Sequence, residues 1–123
     1  MMLQALIVDD NRQIADSMAQ MLGFFDIKAQ TAYGARAGLN ALKEITPSIV
    51  FLDLNMPGLT GFEVLSYLRR EPRLQDVPVI VVTSDDQPES ADRAMQNGAT
   101  AYVIKPISLD VLEATLKTLD LVP

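Results

Sequence analysis

The sequence predicts an α/β fold, a doubly wound five-stranded parallel sheet with helices on both faces. Two observations predict it. Five short and mostly continuous apolar runs alternate with five segments whose apolar residues recur at helical spacing, and strands that are apolar throughout belong to a sheet covered on both sides. Polar residues, namely Asp9-Asp10, Asp53, Thr83-Ser84 and Lys105, follow the ends of four of those runs, where an open parallel sheet gathers its ligands.

Leu3 to Asp9 is the first strand; Ile14, Met18, Met21, Leu22 and Phe25 then recur at helical spacing up to the break at Gly23. Ile27, Ala29 and Thr31 alternate with Lys28 and Gln30, the pattern of a half-exposed edge strand, and Ala35, Leu39 and Leu42 mark a helix ended by Pro47. Ile49 to Leu52 is fully apolar. The turn Asn55-Met56-Pro57-Gly58 follows, and Thr60 with Glu63 predicts a capping box ahead of Phe62, Leu65 and Leu68. Val77 to Val82 reads as the fourth strand, and Pro88 opens a helix that closes near Asn97-Gly98. That helix offers only Ala91, Ala94 and Met95 to the interior, so it should be lightly anchored and free to carry a moving output surface. Ala101 to Ile104 is the fifth strand. Ser108 caps the last helix, where Leu109, Leu112, Leu116 and Leu119 form one face and Asp110 and Glu113 suit the positive end of its dipole. The half-polar second strand fits the flavodoxin-like order 2-1-3-4-5, which puts strands 2 and 5 at the edges.

With 123 residues the chain, 1–123, is expected to be a single domain. No apolar run approaches the roughly 20 residues that span a bilayer, and the start lacks a basic region followed by a cleavable apolar stretch. A cytoplasmic location without membrane attachment is expected. A net charge of −6 argues against direct nucleic-acid binding. Histidine and cysteine are both absent, which removes the usual zinc, haem and iron-sulfur ligands and every nucleophile system built on them. A metal would have to sit among oxygens, as magnesium, manganese or calcium do.

In the order 2-1-3-4-5, strands 1, 3, 4 and 5 are neighbours, so Asp9, Asp10, Asp53, Thr83 and Lys105 converge on one edge. Singly, each has a plainer use: Asp10 as a helix cap, Thr83 as a loop hydroxyl, Lys105 as a solvated surface charge. Together, three carboxylates would repel by up to ~4 kcal/mol per contact pair at an effective dielectric of 20, and need a cation. Lys105 and a divalent ion would balance the three. Magnesium keeps several waters and leaves room for a phosphate oxygen, so the cluster reads as a phosphoryl-transfer site in which a carboxylate is the nucleophile.

The stretches LIVDDN (6–11), FLDLNMPGLTGFEVL (51–65), VIVVTS (79–84) and AYVIKP (101–106) carry a resemblance to the receiver domain of two-component response regulators, from Leu3 to about Leu119. The resemblance implies that Asp53 is the phosphoacceptor, Asp10 a direct metal ligand, Asp9 a second acid acting through metal-bound water, and Asn55 the donor of a backbone carbonyl to Mg2+, or Mn2+. Thr83 and Lys105 would contact the phosphoryl group, Tyr102 would change position with Thr83, and Lys105-Pro106 would be a cis peptide. It implies a switch, not an enzyme with a separate substrate, which assists only its own phosphotransfer and dephosphorylation. Without histidine the chain cannot be its own phosphohistidine donor, so a histidine kinase or histidine phosphotransfer protein is the expected partner. A downstream protein target would read the surface of helix 4, strand 5 and helix 5, and a phosphorylation-dependent homodimer is compatible with this. If these 123 residues are the complete protein, their ending soon after the fifth helix makes a stand-alone receiver the expectation. Three other readings are weaker: an adaptor leaves the acid cluster unused, a phosphohydrolase lacks a substrate pocket, and a flavodoxin would not place acids in its first loop.

Overall fold

The computed structural model describes residues 3–56, 58 and 60–123; Pro57 of the expected turn lies outside the described residues. The chain alternates β1 (Gln4–Val8), α1 (Arg12–Gly23), β2 (Lys28–Ala32), α2 (Ala35–Glu44), β3 (Ile49–Leu52), α3 (Gly61–Arg70), β4 (Val79–Thr83), α4 (Pro88–Gln96), β5 (Ala101–Ile104) and α5 (Leu109–Thr118). All five strands pair in parallel, in the order β2-β1-β3-β4-β5. The predicted architecture and strand order are those observed.

Alternation within each strand divides the core in two. Leu6, Val8, Val50, Leu52, Val79 and Val81 face α2, α3 and α4, where Leu42, Leu65, Leu68 and Ala94 close the layer. On the other face Ala5, Ile7, Ile49, Phe51, Ile80 and Val82 meet Met18 and Leu22 of α1 and Leu112 and Leu116 of α5. Every residue of β3 and β4 is buried, whereas β2 exposes Lys28 and Gln30 at the sheet's edge.

Four details depart from the sequence patterns. The capping box at Thr60 is not formed: the Glu63 N–H donates to the main-chain carbonyl of Thr60 at 3.1 Å, and the threonine side chain makes no cap bond. β4 starts at Val79, not Val77. Val77 donates its N–H to Leu74 in a turn and gives its carbonyl to Arg69 Nη2 at 2.9 Å, and Pro78 has no N–H for a ladder bond. Leu109, at the first helical position beside the Ser108 cap, is 42% exposed, a turn ahead of the buried pair Leu112 and Leu116. Of the three inward residues expected in α4, Ala94 alone is fully buried, while Ala91 is half-buried and Met95 is exposed.

Gly61 sets how closely α3 approaches the end of β3. A Cβ there would collide with the Asp53 carbonyl oxygen and stand 2.6 Å from Leu54 Cα. Only glycine lets the helix start directly over the residue that ends the strand.

Candidate functional site

Ladder hydrogen bonds continue one residue beyond three strands and hold the polar residues at the sheet's carboxyl edge. The Asp9 N–H donates to Ala32, Asp53 to Val8 and Lys105 to Thr83, at 3.1, 3.0 and 2.8 Å. Asp9, Asp53 and Thr83 are the buried polar residues among those described.

Each buried carboxylate divides its oxygens between two tasks. Oδ1 of Asp9 accepts the N–H of Asn11 at 2.9 Å, and Oδ1 of Asp53 accepts that of Asn55 at 3.2 Å. These local turns fix both side chains. The Oδ2 atoms share one ammonium: Lys105 Nζ lies 2.8 Å from Asp9 and 3.2 Å from Asp53. The exposed Asp10 completes the cluster, with one carboxylate oxygen of each acid within 4.8 Å of the others.

Three acids around one lysine leave a formal excess of two negative charges. At this separation two carboxylates repel by about 3 kcal/mol at an effective dielectric of 20. Burial pushes the Asp53 carboxyl above its ordinary range; the Lys105 charge and the Asn55 N–H oppose this, and Asp9 adds to it. Burial alone would lower the Lys105 ammonium, but the hydrogen bond to Asp9 and the charges of Asp53 and Asp9 outweigh it and hold it above the usual lysine value. An all-oxygen donor set with this charge excess fits a hard divalent cation.

A hydrogen-bonded chain leads away from Asp53. Asn55, whose N–H binds the Asp53 carboxylate, donates Nδ2 to Thr83 Oγ1 at 3.3 Å; the same oxygen accepts the Asp85 N–H at 3.3 Å. The Asp85 carbonyl accepts the Tyr102 hydroxyl at 2.7 Å. Thr83 Oγ1 thus receives two N–H groups and keeps its own hydrogen to donate. Tyr102 is half-buried against the α2–α3–α4 core layer, its hydroxyl pushed up by burial and then by Asp85, Asp86 and Asp53. The sequence patterns did not reveal the side-chain bond from Asn55 to Thr83 or the main-chain bond of Asp85 to Tyr102, because each joins segments distant in the chain.

The Lys105–Pro106 peptide is cis. Beside Lys105, a cavity of about 470 Å³ opens between Ile14, Met18 and Met21 of α1 and Pro106-Ile107.

Residues 5–117 match the response regulator receiver domain. The chain is 33% identical over 114 residues to a probable cyclic di-GMP phosphodiesterase of Vibrio cholerae, covering 92% of this chain and 25% of that protein. It is 31% identical over 115 residues to the phosphate regulon transcriptional regulatory protein PhoB of Escherichia coli, covering 91% and 49% respectively. This chain therefore spans between a quarter and about half of the length of these curated relatives. The solved chemotaxis protein CheY4 of Vibrio cholerae superposes with a TM-score of 0.90 at 27% identity, over 96% of this chain and 98% of that one. A CheY-like receiver domain from Methanospirillum hungatei gives 0.88 at 29% identity, over 98% and 95%.

Proposed function

Because the chain belongs to the response regulator receiver domain family of two-component signalling, we propose that it is a phosphorylation-dependent switch in which Asp53 takes a phosphoryl group from a phosphohistidine donor. The observation that carries this reading is the sharing of one ammonium, Lys105, by the buried carboxylates of Asp9 and Asp53. In the transfer, an Asp53 oxygen bonds to phosphorus as the phosphorus–nitrogen bond of the donor breaks, and the leaving imidazole keeps that electron pair and takes up a proton.

Asp9, Asp10 and Asp53, with the main-chain carbonyl of Asn55, would hold Mg2+ or Mn2+, which when bound offsets the negative charge of the incoming group. Lys105 supplies a fixed positive charge beside the acceptor, and Thr83 donates its free hydroxyl hydrogen to a phosphoryl oxygen. Drawing Thr83 toward Asp53 strains its bonds to Asn55 and Asp85, and the Asp85–Tyr102 bond carries the displacement to β5. The expected change in Tyr102 starts from a ring already half-buried. A histidine kinase or phosphotransfer protein can seat against the apolar wall of α1 and Ile107 beside Lys105, and a downstream protein reads α4, β5 and α5. No helix among the described residues is long and apolar enough to cross a membrane, and the proposed location is the cytoplasm.

Incubation with Mg2+ and acetyl phosphate should add one phosphoryl group to the wild type and none to Asp53→Asn, read by intact mass. Equal labelling of the variant would place the acceptor elsewhere.

A further inference from the structure

The core layer between α1 and the sheet does not close beside the acceptor. Met18 and Val82, both buried members of that layer, line the cavity of about 470 Å³, and the half-buried Ile14, Met21 and Ile107 wall it. Lys105 stands in the same wall, and its ammonium lies 3.2 Å from Asp53 Oδ2. The exposed Ser17 lies at the rim.

Apolar walls with a few polar groups and one cation are the make-up of a small-molecule site, and the volume is of that class. Two of the lining residues are methionines, whose unbranched, polarisable side chains repack readily around an alkyl group. Two smaller cavities lack one or the other feature. That beside Asp10, of about 280 Å³, is lined by Tyr33 and Arg36 and by no aliphatic side chain larger than alanine's. That along β5 and α5, of about 330 Å³, is apolar but touches none of the three acids. The cavity at Lys105 joins apolar walls to the acceptor.

We infer that this cavity binds the alkyl group of an acyl phosphate, so that the protein selects phosphoryl donors with a longer chain than acetyl phosphate. The inference deepens the switch reading above and rests on it. An Asp53 oxygen bonds to phosphorus as the bond from phosphorus to the acyl oxygen breaks, and the leaving carboxylate keeps that electron pair, with no proton to be placed. Lys105 draws the anionic end of the donor toward Asp53, while the alkyl group displaces water along Met18 and Met21. A methylene fully removed from water is worth about fourfold in affinity. Since the rim is open to solvent, half of that free energy, or about twofold per methylene, is expected.

Labelling of the full chain with acetyl, propionyl and butyryl phosphate, each with Mg2+ and followed by intact mass, tests it. The rate per unit of donor concentration should rise about fourfold from acetyl to butyryl phosphate. That ratio should fall to about one in Met21→Gln, which makes the wall polar, and in Ser17→Phe, which fills the mouth from an exposed position. A second readout needs no transfer. Butylphosphonate, which has no ester bond to break, should shift the Met18 and Met21 ε-methyl NMR signals in the presence of Mg2+, and methylphosphonate should not. A level series in the wild type, or a preference that either folded variant retains, overturns the inference and leaves the phosphorylation reading standing. Methyl signals unmoved by butylphosphonate overturn it as well, and leave the cavity to an apolar side chain of a protein donor. If acetyl phosphate labels nothing, the phosphorylation reading itself fails, and the choice of donor with it.

Discussion

At the scale of single residues, Lys105 is the group on which the site's electrostatics turn. Its ammonium partners two carboxylates that burial has stripped of water, and removing one partner of such a cluster leaves uncompensated buried charge. In chelator at neutral pH, Lys105→Met should lose about 3 kcal/mol of stability. Asp53 shows the sign of the pH dependence. Its folded-state pKa is raised above 3.8, so its contribution to stability is complete below the unfolded value and is lost as pH rises through the folded value. Lys105 opposes that shift, so in the variant the Asp53 midpoint should move higher still, and the loss should extend to higher pH. Carboxyl-carbon NMR titration of both proteins measures this, and an unmoved midpoint would mean that the lysine does not pair with Asp53 in solution.

At the scale of elements, the contact of α3 with β3 decides whether Asp53 keeps its place. Gly61→Ala puts a methyl group into the Asp53 carbonyl and Leu54, both main chain, which cannot rotate away. The helix start or the strand end must shift, at a cost of about 1–3 kcal/mol, and acetyl phosphate labelling of Asp53 should slow with it. Gly23→Ala is the matched control. Gly23 is the last residue of α1 and nothing lies within 4 Å of its added Cβ, so the change should be neutral or stabilising by up to about 1 kcal/mol. Urea melts of the two variants should move in different directions. Equal destabilisation would show that Gly61 is not held at this close approach.

For the whole molecule, the excess negative charge at one sheet edge links stability to divalent ions. Binding to the native state alone stabilises by RT ln(1 + [L]/Kd), so ~10 mM Mg2+ with a hypothetical millimolar Kd would contribute roughly 1.4 kcal/mol. Asp10→Asn removes a repelling charge and a ligand together. Because Asp10 is exposed, solvent screens its repulsion, and the variant in chelator should equal or slightly exceed wild type while gaining little from Mg2+. Denaturant melts of both proteins, each with chelator and with Mg2+, distinguish the cases. A full Mg2+ response in Asp10→Asn would place the ion elsewhere.

The order of the elements, the parallel sheet and the polar edge could be read from the sequence because they depend on local signals. The run Ile49–Leu52 is apolar throughout, β2 alternates, and Asn97-Gly98 closes α4; each feature is written in neighbouring residues. The same signals gathered Asp9, Asp10, Asp53, Thr83 and Lys105, since a parallel order is enough to align strand ends. Tertiary structure decided what depends on packing between distant segments. Val77 left the strand because Pro78 and Arg69 claimed its surroundings, and Thr60 lost its side-chain cap bond where Glu63 turned to a main-chain carbonyl. Leu109 obeys the helical period yet lies ahead of the contact that buries Leu112 and Leu116. The bonds from Asn55 to Thr83 and from Arg69 to Gly98 span 28 and 29 residues. Periodicity records which face of an element is apolar, but which side chains meet across elements is settled only when the packed layers bring them within hydrogen-bonding distance.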